Sequence, residues 1–431
     1  MPVTPRCLRS ALLHGEYMKA DASYSFAPLD VAGLRFLQEH WDKLRLGLAG
    51  NSISDCDIFS GHHFNYGKFE SFLQHHGLEK AWPRTEKSCV PCLDKDTWEM
   101  MCGLRPELET VHQLYKTMTM PGLNVACDPD GRNRMLLGAF GAITSRNTPG
   151  NDDRGRFIFG LPKCWRFLIK PPEGRALAYI DWSCQEYGIA AVLSGDENML
   201  RSYETGDPYI KFAILAGATP EGATKDTHPA MRKLYKSATL AIGYGQGSRA
   251  FSEKTGVNQA IAESIFRQYQ RVYSRFWRWR DEQVDRYAIN LQLETKLGWT
   301  LHRGVRVKQT TVLNFTAQTT GAEMLRLAVI EMMHAGVQVC CPVHDAVLIE
   351  APVDEIESAI TRARVAMDTA SALLLDGYVL RIECSDKDIT RDPARFFDKD
   401  GKETWDKIVN VANGIKGHES PFATETKNEQ V

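Results

Sequence analysis

The stretch GVQVCCPVHDAVLIEAPV, which begins at Gly336, places a histidine and an aspartate at the centre of an apolar segment. Two apolar runs, Val337–Val343 and Ala346–Ala351, predict short strands joined by a tight turn. The pair between them, His344 and Asp345, is either the polar tip of a surface hairpin or a carboxylate near a core. Because a carboxylate near a core is costly unless a cation neutralises it, the second explanation predicts another carboxylate elsewhere in the chain.

Length and composition indicate a globular protein. A chain of 431 residues with 43% hydrophobic and 25% charged residues is long enough for two to four lobes with sizeable cores. No apolar run approaches the about 18 residues of a membrane span, and the N-terminal residues lack the apolar region of a signal peptide. We therefore expect a cytoplasmic protein with no membrane partner.

The cysteines favour a reducing compartment. Eleven cysteines in a chain of this length are too sparse for a disulfide framework. The sequence CVPC at Cys89–Cys92 is a single CxxC, and zinc would need two further ligands. Cys102 and His112 are candidates by type alone, so the sequence disfavours a zinc site at CVPC.

Positive charge is concentrated in one part of the chain. Residues 228–310 hold fifteen Lys and Arg against six Asp and Glu, a local net charge of +9. Because the whole chain has a net charge of −2, the remaining residues together carry −11. Within this part, FRQYQRVYSRFWRWRDEQ alternates arginine with aromatic residues. Such a basic lobe can bind a polyanion, with phosphate contacts and base stacking, or it can be the solvated face of helices.

A second carboxylate follows an apolar strand in GRALAYIDWSCQE. The predicted strand ends at Asp181, and a helix carrying Glu186 comes next. An aspartate between a strand and a helix can hold a metal ion at a sheet edge. It can equally cap the helix, and the sequence leaves both possibilities open.

The segment HPAMRKLYKSATLAIGYGQG predicts a helix with a distinctive face. Arg232, Lys236, Leu240 and Tyr244 recur every four residues and form one stripe, which ends beside Gly245. Two cations and an aromatic ring suit a surface that meets phosphate at one end and a base at the other. The stripe is also compatible with an ordinary amphipathic helix.

These three stretches resemble the three polymerase motifs of the DNA polymerase I family, family A. DWSCQE is similar to the first motif, RKLYKSATLAIGYG to the second and VHDAVLIE to the third. The segments DGRNRMLLGAFGAITSRNTP, DPYIKFA and NFTAQTTGAEML extend the likeness, which covers roughly Phe36 to Phe396.

The resemblance implies an α+β fold with the right-hand architecture of palm, fingers and thumb, in which the palm contains an antiparallel sheet. The expected divisions are the N-terminal segment and thumb in residues 1–125, the first part of the palm in 126–205, the fingers in 206–285, and the second part of the palm with a polar tail in 286–431.

The implied function is template-directed DNA polymerisation by two-metal-ion nucleotidyl transfer. The expected partners are primer-template DNA and deoxynucleoside triphosphates, and the expected state is a monomer. Asp181, Asp345 and the backbone carbonyl of Trp182 would bind two Mg²⁺ ions, with Mn²⁺ as a substitute.

The remaining roles are implied by the resemblance, position by position. Arg232 and Lys236 would hold the triphosphate, and Lys236 would also act in catalysis. The residues expected around the incoming nucleotide are Leu240, Tyr244, Gly245 and Glu186, of which Glu186 would exclude a ribose 2′-hydroxyl. The residues expected at the DNA are Arg146, Asn314, Gln318 and His344.

The sequence departs from the family pattern at several positions, and three of them, in the second, third and first motifs, bear on the expected site. Leu240 stands where an aromatic residue is usual, Ala346 where an acidic residue follows the motif aspartate, and Gly188 where arginine is common. These departures suggest a divergent phage-like or proteobacterial branch. They also keep open a catalytically degenerate fold that only binds primer-template DNA. No exonuclease region of the family type is expected in this chain, since DCD at residues 55–57 lacks the DxE context.

Overall fold

The structure is a computed structural model of the chain, and it describes residues 5–50, 57–85, 87–105, 107–150, 155–304 and 307–423. In these ranges the helices are α1 (Pro5–Ala22), α2 (Val31–Glu39), α3 (Trp41–Gly50), α4 (Tyr66–His75), α5 (Lys95–Leu104), α6 (Leu108–Met118), α7 (Gln185–Ser194), α8 (Glu197–Glu204), α9 (Pro208–Leu215), α10 (Pro229–Gly243), α11 (Ser248–Thr255), α12 (Gln259–Val272), α13 (Ser274–Asn290), α14 (Gln309–His334), α15 (Ile356–Leu374) and α16 (Lys402–Asn413). The strands are β1 (Phe59–Ser60), β2 (His63–Phe64), β3 (Leu137–Gly138), β4 (Thr148–Pro149), β5 (Arg175–Trp182), β6 (Gln292–Glu294), β7 (Thr300–His302), β8 (Gln338–Val343), β9 (Ala346–Pro352), β10 (Ile382–Glu383) and β11 (Ile389–Arg391).

The predicted helical stretches are confirmed. Helices α1 to α6 occupy much of the first 125 residues, and α7 to α13 follow one another from Gln185 to Asn290. The described residues between Asn133 and β5 hold only two strands of two residues and two short 3₁₀ helices. Side chains organise the backbone of this stretch instead. The buried amide of Asn133 donates to the carbonyls of Ala126 and Arg156 and accepts from the Ile158 amide.

The chain forms two compact units. The first consists of Met1–Ser25, Leu137–Thr148 and Ala178–Ser385, and it contains α1 and α7 to α15. Its sheet has the strand order β10-β5-β9-β8, with β10 antiparallel to β5 and β8 antiparallel to β9. This mixture of helices with an antiparallel sheet agrees with the predicted α+β class.

The strands of the third predicted motif are buried. Five of the six residues of β8 and six of the seven residues of β9 are shielded from solvent. Helix α14 packs on β8 and on α15, and α15 packs on β9. Strands covered on their faces need apolar side chains throughout, which is why this part of the sequence reads as a continuous apolar run.

The second unit consists of Phe26–Leu136, Pro149–Leu177 and Asp386–Val431. It contains α2 to α6 and α16, with α16 packed against α3 and α6. A partly buried ion pair joins distant parts of the sequence in this unit, since Arg395 Nη2 lies 2.6 Å from Asp30 Oδ2. Asp30 also caps α2 by accepting from the Gly33 amide at 2.9 Å.

The two units do not follow the boundaries at residues 125, 205 and 285 that the sequence predicts for thumb, palm and fingers. Those divisions stay a prediction. In the part of the chain that the structure describes, no helix combines the length and the apolar character needed to cross a bilayer.

Candidate active site

The turn between β8 and β9 carries the His-Asp pair. Val343 pairs with Ala346, so His344 and Asp345 form a two-residue hairpin loop. His344 has a φ of +58° and is exposed, and a positive φ at this position is typical of hairpin turns whose twist matches the strands. The two strands and the turn that the sequence predicts are therefore confirmed.

Asp345 lies next to the end of the strand that carries Asp181. The carbonyl of Asp345 accepts a hydrogen bond from the Trp182 amide at 3.3 Å, and β5 and β9 are neighbours in the sheet. Asp181 is the penultimate residue of β5, so the predicted strand end is displaced by one residue. The two carboxylates are 164 positions apart in sequence, and the sheet brings their backbones together.

Burial raises the pKa of Asp345 above its ordinary value. The nearby charges of His344 and Arg146 act against this rise, and Glu186 adds to it. A carboxylate in this environment needs a cation to stay ionised at low cost. The structure thus favours a partly buried carboxylate over the polar tip of a surface hairpin.

Helix α10 presents Arg232 and Lys236 to the same cavity as Asp181. A cavity of about 880 Å³ is lined by Asp181, Arg232 and Lys236. Arg232 forms an ion pair with Asp207, which also caps α9 by accepting from the Tyr209 amide at 3.2 Å. Lys236 Nζ lies 5.7 Å from the ring centre of Tyr209, a cation–π contact. The cavity therefore has a carboxylate on one wall and two cations on another.

The end of the α10 stripe borders a second, smaller cavity. This cavity of about 200 Å³ is lined by Glu186, Leu240, Tyr244, Asn314 and Asp345, among others. Leu240 and Tyr244 are 38% and 46% exposed, which is high for large apolar side chains. Their exposure leaves them available for a ligand.

The backbone geometry at position 245 requires glycine. Its φ is +76°, and a Cβ at this position would lie 3.1 Å from Leu313 and 3.2 Å from Thr310. Glycine therefore lets the end of α10 turn close against the start of α14.

Arg146 and Glu186 form an ion pair with 2.5 Å between Nη2 and Oε1. Arg326 of α14 holds the loop that carries Arg146. It donates to the Ser145 carbonyl at 2.7 Å and to the Ser145 hydroxyl at 2.8 Å. The Arg326 guanidinium also lies 4.7 Å from the ring centre of Phe140. This support gives Arg146 a defined position beside the smaller cavity.

Of the four expected DNA contacts, only Asn314 lines one of the two cavities, and Arg146 lies beside the smaller one. Gln318 lies one turn beyond Asn314 on α14 and is half-buried, while His344 points to solvent at the hairpin tip. Arg280, in the segment that alternates arginine with aromatic residues, is buried and donates to the Ile242 carbonyl at 2.9 Å. Arg280 thus holds the end of α10, which is a structural role within that segment.

Packing explains two of the three departures from the family pattern. A Cβ at Gly188 would lie 2.7 Å from Leu380 and 3.0 Å from the Tyr203 ring, so a larger residue does not fit there. Ala346 is fully buried at the start of β9. Nothing in the packing requires leucine at position 240.

Several residues of the site escaped the sequence reasoning. Glu383 on β10 lies opposite Asp181 in the antiparallel register and lines the larger cavity. Ser183 donates to the Glu383 carboxylate, and Asp207 holds Arg232. Asp207 precedes Pro208, a pattern typical of a helix start that could have been noticed. Glu383 carries no such local signal, because its position depends on strand pairing.

The sequence of the chain is similar to those of known proteins. Residues 147–385 match the family model described as DNA polymerase family A, which covers more than half of the chain. The thermostable DNA polymerase I of Thermus thermophilus is 26% identical over 320 residues, which is 70% of this chain and 34% of that protein. The DNA polymerase of Mycobacterium phage L5 is 26% identical over 202 residues, which is 45% of this chain and 30% of that protein.

A solved structure shares the fold. The POL domain of Pol1 from M. smegmatis, in complex with DNA primer-template and dNTP, superposes with a TM-score of 0.62 at 18% identity, covering 86% of this chain and 69% of that one. The polymerase fold inferred from the three motifs is thereby confirmed. The chain spans about a third of the length of the Thermus thermophilus relative. By the extent of its match, the chain belongs to DNA polymerase family A.

Proposed function

We propose that the chain is a template-directed DNA polymerase that adds deoxynucleotides to the 3′-hydroxyl of a primer. One observation carries the proposal. Asp181 and Asp345 lie at one end of a buried sheet, and Asp181 lines a cavity together with Arg232 and Lys236. A polyanionic triphosphate needs cations along its length and neutralised carboxylates at its reacting end, and this arrangement offers both.

Family A polymerases generally use divalent metal ions. Hard carboxylate oxygens from Asp181 and Asp345 are the ligands that Mg²⁺ prefers, and the burial of Asp345 leaves its charge in need of a cation. These residues therefore fit two Mg²⁺ ions, with the backbone carbonyl of Trp182 as a further oxygen ligand. When bound, such ions polarise the transferring phosphoryl group and lower the pKa of the attacking hydroxyl.

The chain's own cations act on the triphosphate. In the proposal Arg232 binds it by the planar fork of its guanidinium, which Asp207 holds in position. Lys236 neutralises the charge that develops on the leaving pyrophosphate. Tyr244 and Leu240 pack on the nascent base pair, and Gly245 permits the close approach of α10 and α14.

Selection of the sugar is assigned to the Arg146–Glu186 ion pair. Glu186 lines the smaller cavity, where its carboxylate would meet a ribose 2′-hydroxyl, and Arg146 keeps it in one orientation. Arg146 and Asn314 are also placed to contact the primer-template, with Gln318 and His344 as further DNA contacts. The expected partners are primer-template DNA and deoxynucleoside triphosphates, and the expected state is a monomer.

A degenerate fold that only binds primer-template DNA is the second candidate. Ala346 and Leu240 favour it, because each replaces a group with a role in the reaction. Asp181 with two cations around one cavity, and the partly buried Asp345 at the smaller cavity, count against it, since a protein that only binds DNA has no need of buried negative charge next to its ligand. The absence of a proofreading exonuclease stays a prediction, and Asp55 and Cys56 of DCD lie outside the described residues.

Extension of a labelled primer on a defined template tests the proposal. Wild-type protein with Mg²⁺ should add the nucleotide complementary to each template base. Asp345→Asn should abolish extension, whereas Asp354→Asn, at an exposed aspartate beyond β9, should leave it unchanged. Salt-sensitive DNA binding without any extension by the wild-type protein would favour the degenerate fold.

A further inference from the structure

A group of three possible metal ligands lies in the second unit, which does not contain the polymerase site. Cys102 lies in the last turn of α5, and Glu109 and His112 lie one turn apart on α6. One ligand atom from each lies within 4.8 Å of the others, and Cys102 Sγ is 3.8 Å from His112 Nδ1. In the part of the chain that the structure describes, this group does not include Cys89 or Cys92 of CVPC.

Neighbouring side chains hold these three ligands in place. The ring of His112 is buried and stacks on Trp98, with centroids 4.9 Å apart and an interplanar angle of 2°. Gln113 donates to Glu109 Oε1 at 2.7 Å. Such supporting contacts orient metal ligands and are part of how a metal site is built.

Cations border the group, but they have partners of their own. The ligands open on a cavity of about 390 Å³ that Lys116, Lys163 and Arg166 also line. Lys163 forms an ion pair with Asp400, and Arg166 Nη1 lies 2.8 Å from Asp398 Oδ2. These pairs offset the repulsion that a bound dication would meet, and the cavity leaves room for a water as a fourth ligand.

We propose that Cys102, Glu109 and His112 form a zinc site. Thiolate, imidazole and carboxylate together suit Zn²⁺, whose sites with three protein ligands keep a fourth position for water. Neither the family match nor the polymerase motifs assign any role to these residues. The site would tie α5 to α6.

Titration of metal-free full-length protein with Co²⁺ tests this site, because a thiolate–Co²⁺ bond gives an intense near-ultraviolet absorption. The wild-type protein should bind one equivalent with that band, and Zn²⁺ should displace it. Cys102→Ser should lose the band and His112→Gln should weaken Co²⁺ binding at least about tenfold, while the control Cys92→Ser should match the wild type. A band that persists in Cys102→Ser, or that disappears only in Cys92→Ser, would overturn the assignment.

A second inference rests on the proposed function and concerns Glu383. Glu383 and Asp181 are direct partners on antiparallel strands, so their side chains leave the same face of the sheet. Like charges directly opposite each other destabilise a sheet unless a counter-ion lies between them. Both residues line the larger cavity, so the counter-ion would be at the end of the triphosphate pocket.

Ser183 fixes the Glu383 side chain. Its hydroxyl donates to Glu383 Oε1, and its amide donates to the Arg381 carbonyl at 2.9 Å. Ser183 is itself buried, so this contact has a defined geometry. One carboxylate oxygen is thereby held and the other is left for a cation.

The alanine at position 346 leaves the site without one carboxylate that the family pattern has, and Glu383 can replace it. The family pattern has an acidic residue where this chain has a fully buried alanine next to Asp345. The geometry points to Glu383 as the carboxylate that replaces this acidic residue. Glu383 binds a divalent cation jointly with Asp181, and it does so from the neighbouring strand β10 instead of from the hairpin turn. We refer to Asp181, Asp345 and Glu383 as the carboxylate corner.

Binding of Mn²⁺ to the full chain, followed by electron paramagnetic resonance of the free ion, separates this inference from the polymerase proposal. Glu383→Gln keeps the size of the side chain and an oxygen for the Ser183 hydrogen bond. It should weaken Mn²⁺ binding about tenfold and raise by a similar factor the Mg²⁺ concentration needed for half-maximal extension. Glu383→Asp should recover part of the loss, and Asp386→Asn, at an exposed aspartate, should have no effect.

The outcomes distinguish the two proposals. If Asp181→Asn and Asp345→Asn lose Mn²⁺ while Glu383→Gln binds it as the wild type does, the role of Glu383 is overturned and the polymerase site stands. If none of the three variants changes Mn²⁺ binding or extension, both proposals fail together.

Discussion

The two walls of the larger cavity are built in different ways. Asp181 and Glu383 of the carboxylate corner line it from a sheet whose neighbouring residues, such as Ile180 and Val347, are fully buried. Arg232 and Lys236 lie on α10, on a face that continues to the exposed side chains of Leu240 and Tyr244. One wall is fixed by strand pairing and core packing, and the other is the partly solvated face of a helix.

This difference indicates a division of labour. Groups that must hold metal ions within a few tenths of an ångström need a rigid base, which a buried sheet provides. Long cationic side chains on an exposed helix can follow a flexible triphosphate as it binds and leaves. We therefore expect substitutions at the carboxylate corner to act on the rate of reaction, and substitutions on α10 to act on nucleotide binding.

The largest effect is expected at the carboxylate corner. Asp181→Asn removes a charge without changing the size of the side chain, so the fold should persist while nucleotide insertion falls at least about 1,000-fold, equivalent to about 4 kcal/mol. Insertion by the wild type and the variant, measured under single-turnover conditions, checks this. A variant that keeps more than a tenth of the wild-type rate would mean that Asp181 does not hold a metal ion needed for the reaction.

The next effect is expected on α10. Lys236→Ala should lower insertion efficiency about 100-fold, mainly through a higher half-saturating nucleotide concentration, because a triphosphate contact is lost. Lys233→Ala, on the same helix but outside the cavity, is the matched control. Equal losses in both variants would point to damage of α10 instead of a lost contact.

A smaller effect is expected at the sugar. Glu186→Ala should raise ribonucleotide incorporation relative to deoxynucleotide incorporation by about tenfold, or about 1.4 kcal/mol, because the carboxylate beside the 2′-position is removed. Competition between the two nucleotides in one reaction measures the ratio. An unchanged ratio would remove Glu186 from this role, and Glu197→Ala at an exposed helix end serves as the control.

A gain in nucleotide affinity is expected when Leu240 is replaced by an aromatic residue. Because this side chain is 38% exposed at the smaller cavity, an aromatic ring can be accommodated there without disturbing the core. Leu240→Phe should lower the half-saturating nucleotide concentration by roughly two- to tenfold, since aromatic contacts contribute about 0.5–1.5 kcal/mol. A weaker or unchanged affinity would show that the helix face does not meet the base.

No effect on catalysis is expected at Glu323, a buried carboxylate away from both cavities. Burial raises its pKa to about 7 from 4.5, although Thr295 donates to it at 2.5 Å. Its folded-state pKa is raised, so its contribution to stability is fully present below about pH 4.5 and is lost as the pH rises through about 7. Urea unfolding at pH 5.5 and pH 8 should therefore show Glu323→Gln gaining on the wild type at pH 8.

The difference between the two walls also decided what the sequence could predict. The hairpin at His344–Asp345 and the strand ending at Asp181 were predictable, because apolar runs and turn residues are local signals. The stripe on α10 was predictable from its four-residue period. Glu383 was not, since nothing near it in sequence reveals that β10 pairs with β5.

The same reasoning explains the other failures. Before β5, the buried Asn133 side chain satisfies backbone groups that a sheet would otherwise pair, and no local pattern reveals this. Arg280 has the charge of a DNA contact, but its burial against α10 could not be read from the sequence. In the second unit, Cys102 and His112 were candidate ligands by type alone, and only the packing of α5 on α6 brings in Glu109.

Single-turnover insertion on a defined primer-template, measured over a range of nucleotide concentrations, tests the central claim most directly. The account predicts that Asp181→Asn lowers the maximal rate while its half-saturating nucleotide concentration stays within about twofold of the wild type, and that Lys236→Ala mainly raises that concentration. Insertion by Asp181→Asn at the wild-type rate, or addition of nucleotides regardless of the template base, would contradict it.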